Sequence, residues 1–600
     1  MNNAQSLADK DIQAFCTYHP RICPSQSLHV FLHQGLVVLH HFQLTNSGLT
    51  HYPALKIFFM NKTKNKKTNT ATPKTPDRIQ NKNPFLIFSS HTFWLRIIII
   101  CQMGLLGLQF APNISTNGDD AVYYILGKSL ATGQGYHNIH LTGSPVSTQY
   151  PVVFPAILAV THFFTNNPLS AKILVMCMGL LVTIASFYLF KSWAMWYITP
   201  LVFLTGSSAV LNQHAIELLS EIPYLLLSLL SLLLLEKSYK NPNKKWLFWL
   251  TIFVSVLPMN CRSIGMAFSG AFLVANLLNK KFRYVFAHII VLVATIIFYK
   301  MLTSWNTPYI IQLFQINSYD PDQGYASISE MITRFTTNVS VYSSSILPEA
   351  FIPSFTHANQ GPANILGVLM SLLIGIGCIR NFFLPSRFIS FYIVFYCGIL
   401  SLWQTQWSSG RFLAGIMPFL FFLFFAGIST LWEFCIKAGG HASTYLRSLF
   451  VNNYLSSISR THTLILLAIA MLFAFDNTSM QIQNCDQRKQ STNDWANFNS
   501  CEDWLRLNTP KDAIVVSRKA ELVYLRSNRQ GMLYPYSRDR EKVIAEIKKQ
   551  HATYILCDGF YWTGTTQRYL YPALAAHPEM YRIVYALRNP DTFVLQIIDK

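Results

Sequence analysis

Long apolar segments separated by short polar or basic stretches repeat along the chain from residue 93 to about residue 475. Several have the roughly 20-residue length that a helix needs to cross the hydrocarbon core of a bilayer. An unpaired backbone N–H or C=O group is costly in hydrocarbon, so these segments are expected to be helical. The pattern predicts a polytopic α-helical membrane protein, with a transmembrane module over residues 91–475.

About eleven spans can be threaded with alternating direction. They cover residues 93–111, 169–190, 194–211, 222–236, 246–260, 264–279, 284–302, 363–379, 388–404, 412–434 and 463–475. Residues 154–164 are too short to span comfortably, 112–150 form the first outer loop, and 303–360 are predicted as a long polar loop. Lys and Arg cluster on one side of this arrangement, with Lys300 as the main exception. The positive-inside rule therefore places the N-terminus in the cytoplasm.

The two ends of the chain differ from the apolar middle. Residues 1–90 are polar, with a basic run at 61–67, and are predicted to be a disordered basic extension. No secretory signal pattern is present in it. Met60 directly precedes the basic run and is a candidate for the true start, which peptides from residues 1–59 would exclude.

Residues 476–600 are predicted to form a small extracytoplasmic α/β domain. Strand-like runs occur at 513–516 and 554–556, with helical spacing over 540–550 between them. Residues 581–587 and 592–598 flank Asn589-Pro590-Asp591, a pattern typical of a hairpin. For Cys485 and Cys501, a disulfide and two free thiols are both open.

Composition supports the membrane assignment and narrows the partners. The chain is 51% hydrophobic and 12% charged, whereas soluble domains carry about 25% charge. The formal net charge of +20 lies largely in the N-terminal segment and in clusters between apolar runs. Anionic lipid headgroups are therefore the expected partner, and nucleic acid is not. The cysteines have no spacing suited to zinc.

Charged residues gather on the predicted outer face. They are Asp119, Asp120, Glu217, Glu221, Arg262 and Arg411, together with His137, His140 and His214. A carboxylate there can deprotonate an acceptor hydroxyl or coordinate a divalent cation. Arginine binds phosphate through bidentate, charge-assisted hydrogen bonds. The cluster predicts a site for a charged, lipid-linked substrate.

Each of these residues also has a purely structural interpretation. Asp119 or Asp120 can cap the helix that begins near Ala121, since Gly-Asp-Asp before an apolar run is a good helix start. Glu217 and Glu221 lie four residues apart and would share a solvated helix face. The arginines can be interface anchors. The tryptophans near helix ends are expected to be interface anchors as well: Trp193, Trp196, Trp403 and Trp407.

Several local motifs resemble one family, the GT-C glycosyltransferases, in particular the family 39 branch with the protein O-mannosyltransferases and the lipid A aminoarabinose transferase. The motifs are Asp119-Asp120-Ala121-Val122-Tyr123-Tyr124, Gly133-Gln134-Gly135-Tyr136, Tyr150-Pro151, Phe154-Pro155, Ser220-Glu221-Ile222-Pro223, Arg262-Ser263-Ile264-Gly265, Gly410-Arg411-Phe412 with Pro418, and Asn508-Thr509-Pro510-Lys511-Asp512-Ala513. The resemblance covers residues 90–600. One departure is Val152-Val153 after Tyr150-Pro151, where the family often has Pro-Gly.

The resemblance implies transfer of a sugar from a polyprenyl-phosphate donor to an acceptor on the outer face, with inversion at the anomeric carbon. It implies Asp119 as general base with Asp120 in support, Glu221 positioning the acceptor or a metal, and Arg262 and Arg411 binding the donor phosphate. The residues implied in the substrate loop are Tyr123, Tyr124, Gly135, Tyr136 and Tyr150. No cofactor is certain; a divalent cation, if used, would be bound by Asp119 or Asp120.

Two other classes of protein stay open. A transporter or flippase for lipid-linked sugars would share the multispan pattern, but the spans carry almost no charge and show no internal repeat. A non-catalytic scaffold would need neither the carboxylates nor the arginines. The absence of an evident eukaryotic targeting signal favours a bacterial inner membrane. A lipid, a glycan and a protein are all open as the acceptor.

Overall fold

The computed structural model describes residues 91–112, 114, 118–193, 197–303, 308–355, 360–440, 447–486, 492–560 and 564–598. The predicted N-terminal extension and Met60 lie outside the described residues. Within them, the chain forms a helical module followed by a small domain with a β-sheet.

The helical module has eighteen α-helices in the described residues. They are α1 His91–Gln109, α2 Asp119–Ala131, α3 Val153–His162, α4 Pro168–Phe190, α5 Ile198–Ser207, α6 Ala209–Ala215, α7 Glu221–Lys240, α8 Lys245–Cys261, α9 Met266–Leu278, α10 Phe282–Leu302, α11 Pro308–Phe314, α12 Ile328–Val341, α13 Leu347–Phe351, α14 Gln360–Phe382, α15 Arg387–Leu402, α16 Arg411–Ala414, α17 Met417–Gly440 and α18 Arg447–Gln483.

Seven helices of the described chain are long and apolar enough to cross a membrane: α1, α4, α7, α10, α14, α17 and α18. Four more predicted spans are shorter apolar helices, namely α5, α8, α9 and α15. The prediction that the 154–164 segment is too short is confirmed by α3, which covers Val153–His162. The last helix extends to Gln483, past the predicted end of the module.

The prediction that residues 303–360 form a long polar loop is wrong. The segment contains α11, α12 and α13, with a π-helical turn between the last two. A capping box begins α12, in which Ser327 and Glu330 satisfy each other's backbone N–H groups. The segment is polar in composition because α12 has many polar residues, and polarity alone does not distinguish a loop from a partly exposed helix.

Buried amides join helices inside the module. The Gln481 side-chain carbonyl on α18 accepts hydrogen bonds from Gln109 on α1 at 2.8 Å and from Asn212 on α6 at 3.0 Å. Gln102 on α1 donates to the same Asn212 side chain at 3.1 Å. Polar groups in an apolar environment are stable only when paired, so this network fixes the first and last long helices against α6.

The C-terminal domain is a mixed α/β domain, as predicted. Its elements are α19 Asn493–Asn508, β1 Ile514–Val516, α20 Ala520–Ser527, β2 Gln530–Met532, α21 Arg540–Lys549, β3 Tyr554–Cys557, α22 Tyr571–Ala576, β4 Tyr581–Leu587 and β5 Thr592–Ile597. The strand order is β2-β1-β3-β5-β4. β1 pairs in parallel with β2 and β3, whereas the β3–β5 and β4–β5 pairs are antiparallel. Cys485 and Cys501 are free, so no disulfide joins them.

The first outer loop is docked on the edge of this sheet. Leu141 forms a parallel bridge with Gly531 of β2. The Gly531 N–H donates to the His140 carbonyl at 2.8 Å, and the Thr142 N–H donates to the Gly531 carbonyl at 3.0 Å. On another side, the buried Asp320 carboxylate pairs with Arg538 of the C-terminal domain at 3.2 Å. The domain is therefore held against the end of the helical module that carries the loop.

Candidate functional site

The two adjacent aspartates begin helix α2. Gly118 precedes them in the left-handed region, with φ of +89°, a conformation that glycine adopts at little cost. Gly118 is the N-cap residue, so neither aspartate occupies the N-cap position that the structural interpretation gave to Asp119 or Asp120. Asp120 still bonds the start of the helix, because its Oδ1 accepts a hydrogen bond from the Ala121 N–H at 3.0 Å. Both lie in the first turn, where negative charge is favourable beside the helix dipole.

Asp119 is held on both carboxylate oxygens. The Tyr150 hydroxyl donates to Oδ1 at 2.8 Å, and Nη2 of Arg411 donates to Oδ2 at 2.9 Å. The side chain keeps 35% exposure. Asp119 is therefore oriented by its partners and still accessible from the cavities described below.

Glu221 joins the two arginines. It begins α7, its side chain is only 1% exposed, and its Oε1 lies 2.5 Å from Nη1 of Arg262 and 2.5 Å from Nε of Arg411. Burial alone would lower the pKa of Arg411, but the Glu221 and Asp119 carboxylates raise it well above its usual value. Asp119, Arg411, Glu221 and Arg262 thus form one charge-compensated chain with both arginines ionised.

Local backbone geometry places Arg262 at this site. Pro258 lies inside α8, and Arg262 directly after the helix has extended backbone dihedrals. A Cβ on Gly265 would lie 2.5 Å from the Pro258 carbonyl oxygen, so only glycine permits the tight step into α9. The Arg262 guanidinium lies over the Phe412 ring, 5.5 Å from its centroid, and donates to Ser220 at 3.4 Å.

Asp120 has different surroundings from Asp119. It is 1% exposed, and its Oδ1 accepts a hydrogen bond from the Ala121 N–H at 3.0 Å. Lys172 on α4 lies close enough to interact with it electrostatically. In the described part of the chain, Asp120 and Glu221 line neither of the two cavities at this site. Asp119 is thus the carboxylate of the three that a substrate can reach.

The first cavity has a volume of about 280 Å³, and we call it the apolar cavity. Side chains from α9, α11 and α15 form apolar walls, including Met266, Leu313 and Leu400. Arg262 and Arg411 also line it. An apolar cavity with two arginines in its wall suits the hydrocarbon chain and the phosphate of a lipid phosphate.

The second cavity, which we call the polar cavity, has a volume of about 520 Å³. His140 and Ser147 of the first outer loop line one side of it. The C-terminal domain lines the other with Trp495, Arg518, Lys519, Glu521, Leu533 and Tyr536. Burial lowers the pKa of His140 to about 4, so its imidazole is neutral near pH 7. This cavity suits a polar molecule with hydrogen-bonding groups.

The two cavities meet at a shared wall. The residues that line both are Asp119, Gln149, Tyr150, Trp407 and Arg411. Asp119 and Arg411 are the ionic pair within this wall. A group located there would touch a carboxylate and a guanidinium at once.

The other predicted loop residues have separate positions. Tyr123 lines the apolar cavity and donates to Ser220 at 3.0 Å. Tyr136 is buried and donates to the Tyr150 carbonyl at 2.7 Å, and Gly135 turns the chain with φ of +79°. Tyr124 is buried against His162 and hydrogen-bonds to the Asn166 carbonyl. Among these residues, Tyr123 and Tyr150 contact a cavity, whereas Tyr124, Gly135 and Tyr136 shape the loop behind it.

Sequence reasoning missed several lining residues. Trp403 and Trp407 were expected to be interface anchors, but both line the apolar cavity and Trp407 also lines the polar one. Their closeness in sequence to Arg411, a predicted site residue, is the signal that could have identified the two tryptophans. Lys519 and Glu521 lie in the C-terminal domain with no motif to connect them to Asp119. Over the described residues, no group of three or more His, Cys, Asp or Glu is arranged to hold a metal ion. The divalent cation stays a prediction.

Comparison with known proteins defines the fold. No protein-family model matches the sequence, and no curated protein matches it by sequence. The structure is similar to that of ArnT from Cupriavidus metallidurans bound to undecaprenyl phosphate, with 11% identity, coverage of 85% of this chain and 99% of that chain, and a TM-score of 0.51. The structure of ArnT from Cupriavidus metallidurans in the apo state is also similar, with 11% identity, coverage of 84% of this chain and 98% of that chain, and a TM-score of 0.51. The oligosaccharyltransferase AglB from Archaeoglobus fulgidus, in complex with an inhibitory peptide and a dolichol-phosphate, gives 12% identity, coverage of 79% and 70%, and a TM-score of 0.49.

The chain therefore has the fold of the GT-C glycosyltransferases, and the fold prediction is confirmed. It is an integral membrane protein with a C-terminal α/β domain. Identity of 11% shows the fold alone, so the activity is argued from the geometry of the site.

Proposed function

We propose that this protein is a membrane glycosyltransferase that moves a sugar from a polyprenyl-phosphate donor to an acceptor hydroxyl. The observation that carries the proposal is the wall shared by the apolar and polar cavities, because Asp119 and Arg411 are both part of it. A lipid-phosphate cavity on one side and a polar cavity on the other match a donor and an acceptor that react at the shared wall. The fold, which is also that of an ArnT structure bound to undecaprenyl phosphate, supports the same assignment.

In this proposal, Asp119 is the general base. The acceptor hydroxyl oxygen forms the new bond to the anomeric carbon while its proton passes to the Asp119 carboxylate. The bond from the anomeric carbon to the phosphate oxygen breaks, and the electron pair leaves with the phosphate. Arg262 and Arg411 stabilise the negative charge that develops on that oxygen.

Inversion at the anomeric carbon is part of the proposal. A single displacement needs the attacking oxygen and the leaving group on opposite sides of the anomeric carbon. In the proposed arrangement Arg262, which lines only the apolar cavity, and Arg411 bind the phosphate, and the hydroxyl enters from the polar cavity. Glu221 acts as a positioning residue, since it holds Arg262 and Arg411 together while buried behind them. Asp120 is also a positioning residue, because its Oδ1 accepts a hydrogen bond from the Ala121 N–H in the first turn of α2.

The proposed location is a bacterial inner membrane, with the site and the C-terminal domain on the extracytoplasmic side. The distribution of Lys and Arg in the connections between spans supports this orientation. The divalent cation is not needed for any step described above, because the arginines supply the positive charge at the leaving group.

The experiment uses the purified full-length chain with polyprenyl-phosphate sugars extracted from bacterial membranes and a pool of envelope acceptors. Mass spectrometry follows the release of free polyprenyl phosphate. We expect wild type to release it and Arg262→Gln to lose most of this activity, while Arg387→Gln, at the start of α15, is the matched control. With the same protein reconstituted in liposomes, donor lipid that moves between leaflets without cleavage would instead identify a flippase. Equal release by wild type and Arg262→Gln contradicts the proposed phosphate contact.

A further inference from the structure

The C-terminal domain contributes a charged pair directly beside the proposed base. Nζ of Lys519 and Oε1 of Glu521 are 3.9 Å apart, with the two side chains 10% and 12% exposed. A Cβ placed on Gly118 would lie 2.4 Å from Glu521 Oε1 and 2.7 Å from Lys519 Nζ. The pair therefore packs against the residue that precedes Asp119, and both members line the polar cavity.

The pair offers a polar ligand both kinds of hydrogen-bonding group. The Glu521 carboxyl oxygens can accept hydrogen bonds, and Lys519 Nζ can donate them. Burial raises the pKa of Glu521, Lys519 lowers it, and the nearby Asp119 and Asp120 carboxylates raise it further, so the net shift is upward.

Aromatic side chains form much of the remaining wall. Trp495 and Tyr536 come from the C-terminal domain, and Tyr319 and Trp407 come from the helical module. The Tyr319 and Trp407 rings lie against each other, with centroids 5.1 Å apart. A pyranose has a face of C–H groups that packs on an aromatic ring and an edge of hydroxyls that hydrogen-bonds to charged groups. The combination of aromatic faces and a Lys–Glu pair fits such a ring.

The sheet topology disfavours an extended peptide in the same cavity. Edge strand β2 is the part of the domain beside the cavity that could pair with a peptide, and its Gly531 already pairs with Leu141 and Thr142 of the first outer loop. The opposite edge, β4, contributes no residue to the polar cavity within the described chain. A peptide acceptor that bound by adding a strand to β2 would therefore have to displace the loop that positions the site.

We propose that the polar cavity binds a saccharide as the acceptor and that Lys519, Glu521 and Trp495 select it. This inference rests on the proposed function for its chemical outcome, since the acceptor hydroxyl must reach Asp119. The C-terminal domain is then a substrate-recognition element that completes the site. The binding step can be measured without turnover.

The test measures binding by native mass spectrometry of the full-length protein in detergent. The probes are oligosaccharides released from bacterial envelope polysaccharide by partial acid hydrolysis, short Ser/Thr peptides, and undecaprenyl phosphate. We expect saccharides to bind wild type. Glu521→Gln and Lys519→Gln should each weaken this binding by about tenfold, because each variant loses a hydrogen bond between a charged group and the saccharide. Glu541→Gln and Lys511→Gln, which change exposed residues of the same domain, are the matched controls.

A cavity-filling variant keeps the test independent of the charged pair. Leu533 is half-exposed at 50% and lines the polar cavity, so Leu533→Trp narrows the cavity without removing a buried group. We expect it to reduce saccharide binding and to leave undecaprenyl phosphate binding unchanged. Peptides that bind in place of saccharides, or saccharide binding that none of the three variants weakens, would overturn the inference. Saccharide binding without any donor cleavage by wild type would refute the proposed function instead.

Discussion

At the residue scale, the site depends on how Asp119 is held. Its two oxygens accept from the Tyr150 hydroxyl and from Arg411, whereas Asp120 next to it is buried and bonded to the backbone. Adjacent residues of a helix point about 100° apart around its axis. The geometry therefore divides the pair into one accessible carboxylate and one structural carboxylate. Sequence alone could locate the pair but not assign these two roles.

Tyr150→Phe should lower the transfer rate without weakening donor binding. The substitution removes the hydroxyl that orients Oδ1 of Asp119 and leaves the ring in the wall of both cavities. A lost neutral-to-charged hydrogen bond is worth about 1.5–3 kcal/mol, so we expect kcat to fall by about tenfold to a hundredfold. Steady-state kinetics measure this, with exposed Tyr325→Phe as control. An unchanged kcat would show that Tyr150 does not orient the base.

Glu502 of α19 should make the stability of the protein depend on pH. Burial, helped by nearby Asp503 and Glu521 and opposed by Arg526, raises the pKa of Glu502 to about 8, against about 4.3 in an unfolded chain. Between these values the folded state binds more protons, so the free energy of unfolding falls as the pH rises and levels off above the folded-state pKa.

Thermal unfolding in detergent at pH 6 and pH 9 measures this effect. We expect Glu502→Gln, which has the same shape and no charge, to lose less thermal stability between these pH values than wild type does. Glu541→Gln, which alters an exposed carboxylate of the same domain, is the control. The same loss of stability in wild type and Glu502→Gln would contradict a raised pKa of this carboxyl.

At the element scale, helix starts and turns position the chemistry. Gly118 begins α2, Glu221 begins α7, and Arg262 follows the proline-containing end of α8. The sequence can predict these helix ends, because glycine and proline favour helix boundaries and acidic residues favour the first turn of a helix. Helices α11 to α13 were not predicted, because the polar composition of their segment suggested a loop.

Gly118→Ala should reduce transfer far more than Gly133→Ala. Both glycines have positive φ, +89° and +74°, so a Cβ strains the backbone at either position. A Cβ at Gly118 would also collide with Glu521 and Lys519, whereas nothing lies within 4 Å of the Cβ position at Gly133. The collision would shift either Asp119 or the charged pair. Equal activities of the two variants in the donor-release assay would argue against tight docking of α2 on the C-terminal domain.

Gln481→Leu should lower the thermal stability of the helical module. The substitution leaves the Gln109 and Asn212 amides without their shared acceptor inside an apolar bundle. Such interhelical hydrogen bonds are worth about 0.6–2 kcal/mol each. We expect a lower unfolding midpoint in detergent for Gln481→Leu, while exposed Gln483→Leu on the same helix leaves it unchanged. Matching midpoints would show that the network does not stabilise the bundle.

At the scale of the whole molecule, the candidate site forms where the helical module and the C-terminal domain meet. Asp119 and Lys519 are far apart in sequence, and their proximity follows from backbone pairing of the first outer loop with β2. Residue spacing carries no signal for such contacts, so the C-terminal wall of the polar cavity could not be predicted. The helices, the α/β class of the domain and the Asp119, Arg262 and Arg411 cluster could be, because periodicity and local motifs specify them.

The role of Asp119 as general base is tested by comparing Asp119→Asn with wild type in two assays on the same purified protein. One assay measures equilibrium binding of undecaprenyl phosphate, and the other measures release of polyprenyl phosphate from the native donor pool in the presence of acceptors. We expect Asp119→Asn to bind the lipid phosphate through Arg262 and Arg411 but to lose nearly all transfer, with exposed Asp512→Asn behaving as wild type. Transfer by a well-folded Asp119→Asn variant at the wild-type rate would show that Asp119 is not the general base.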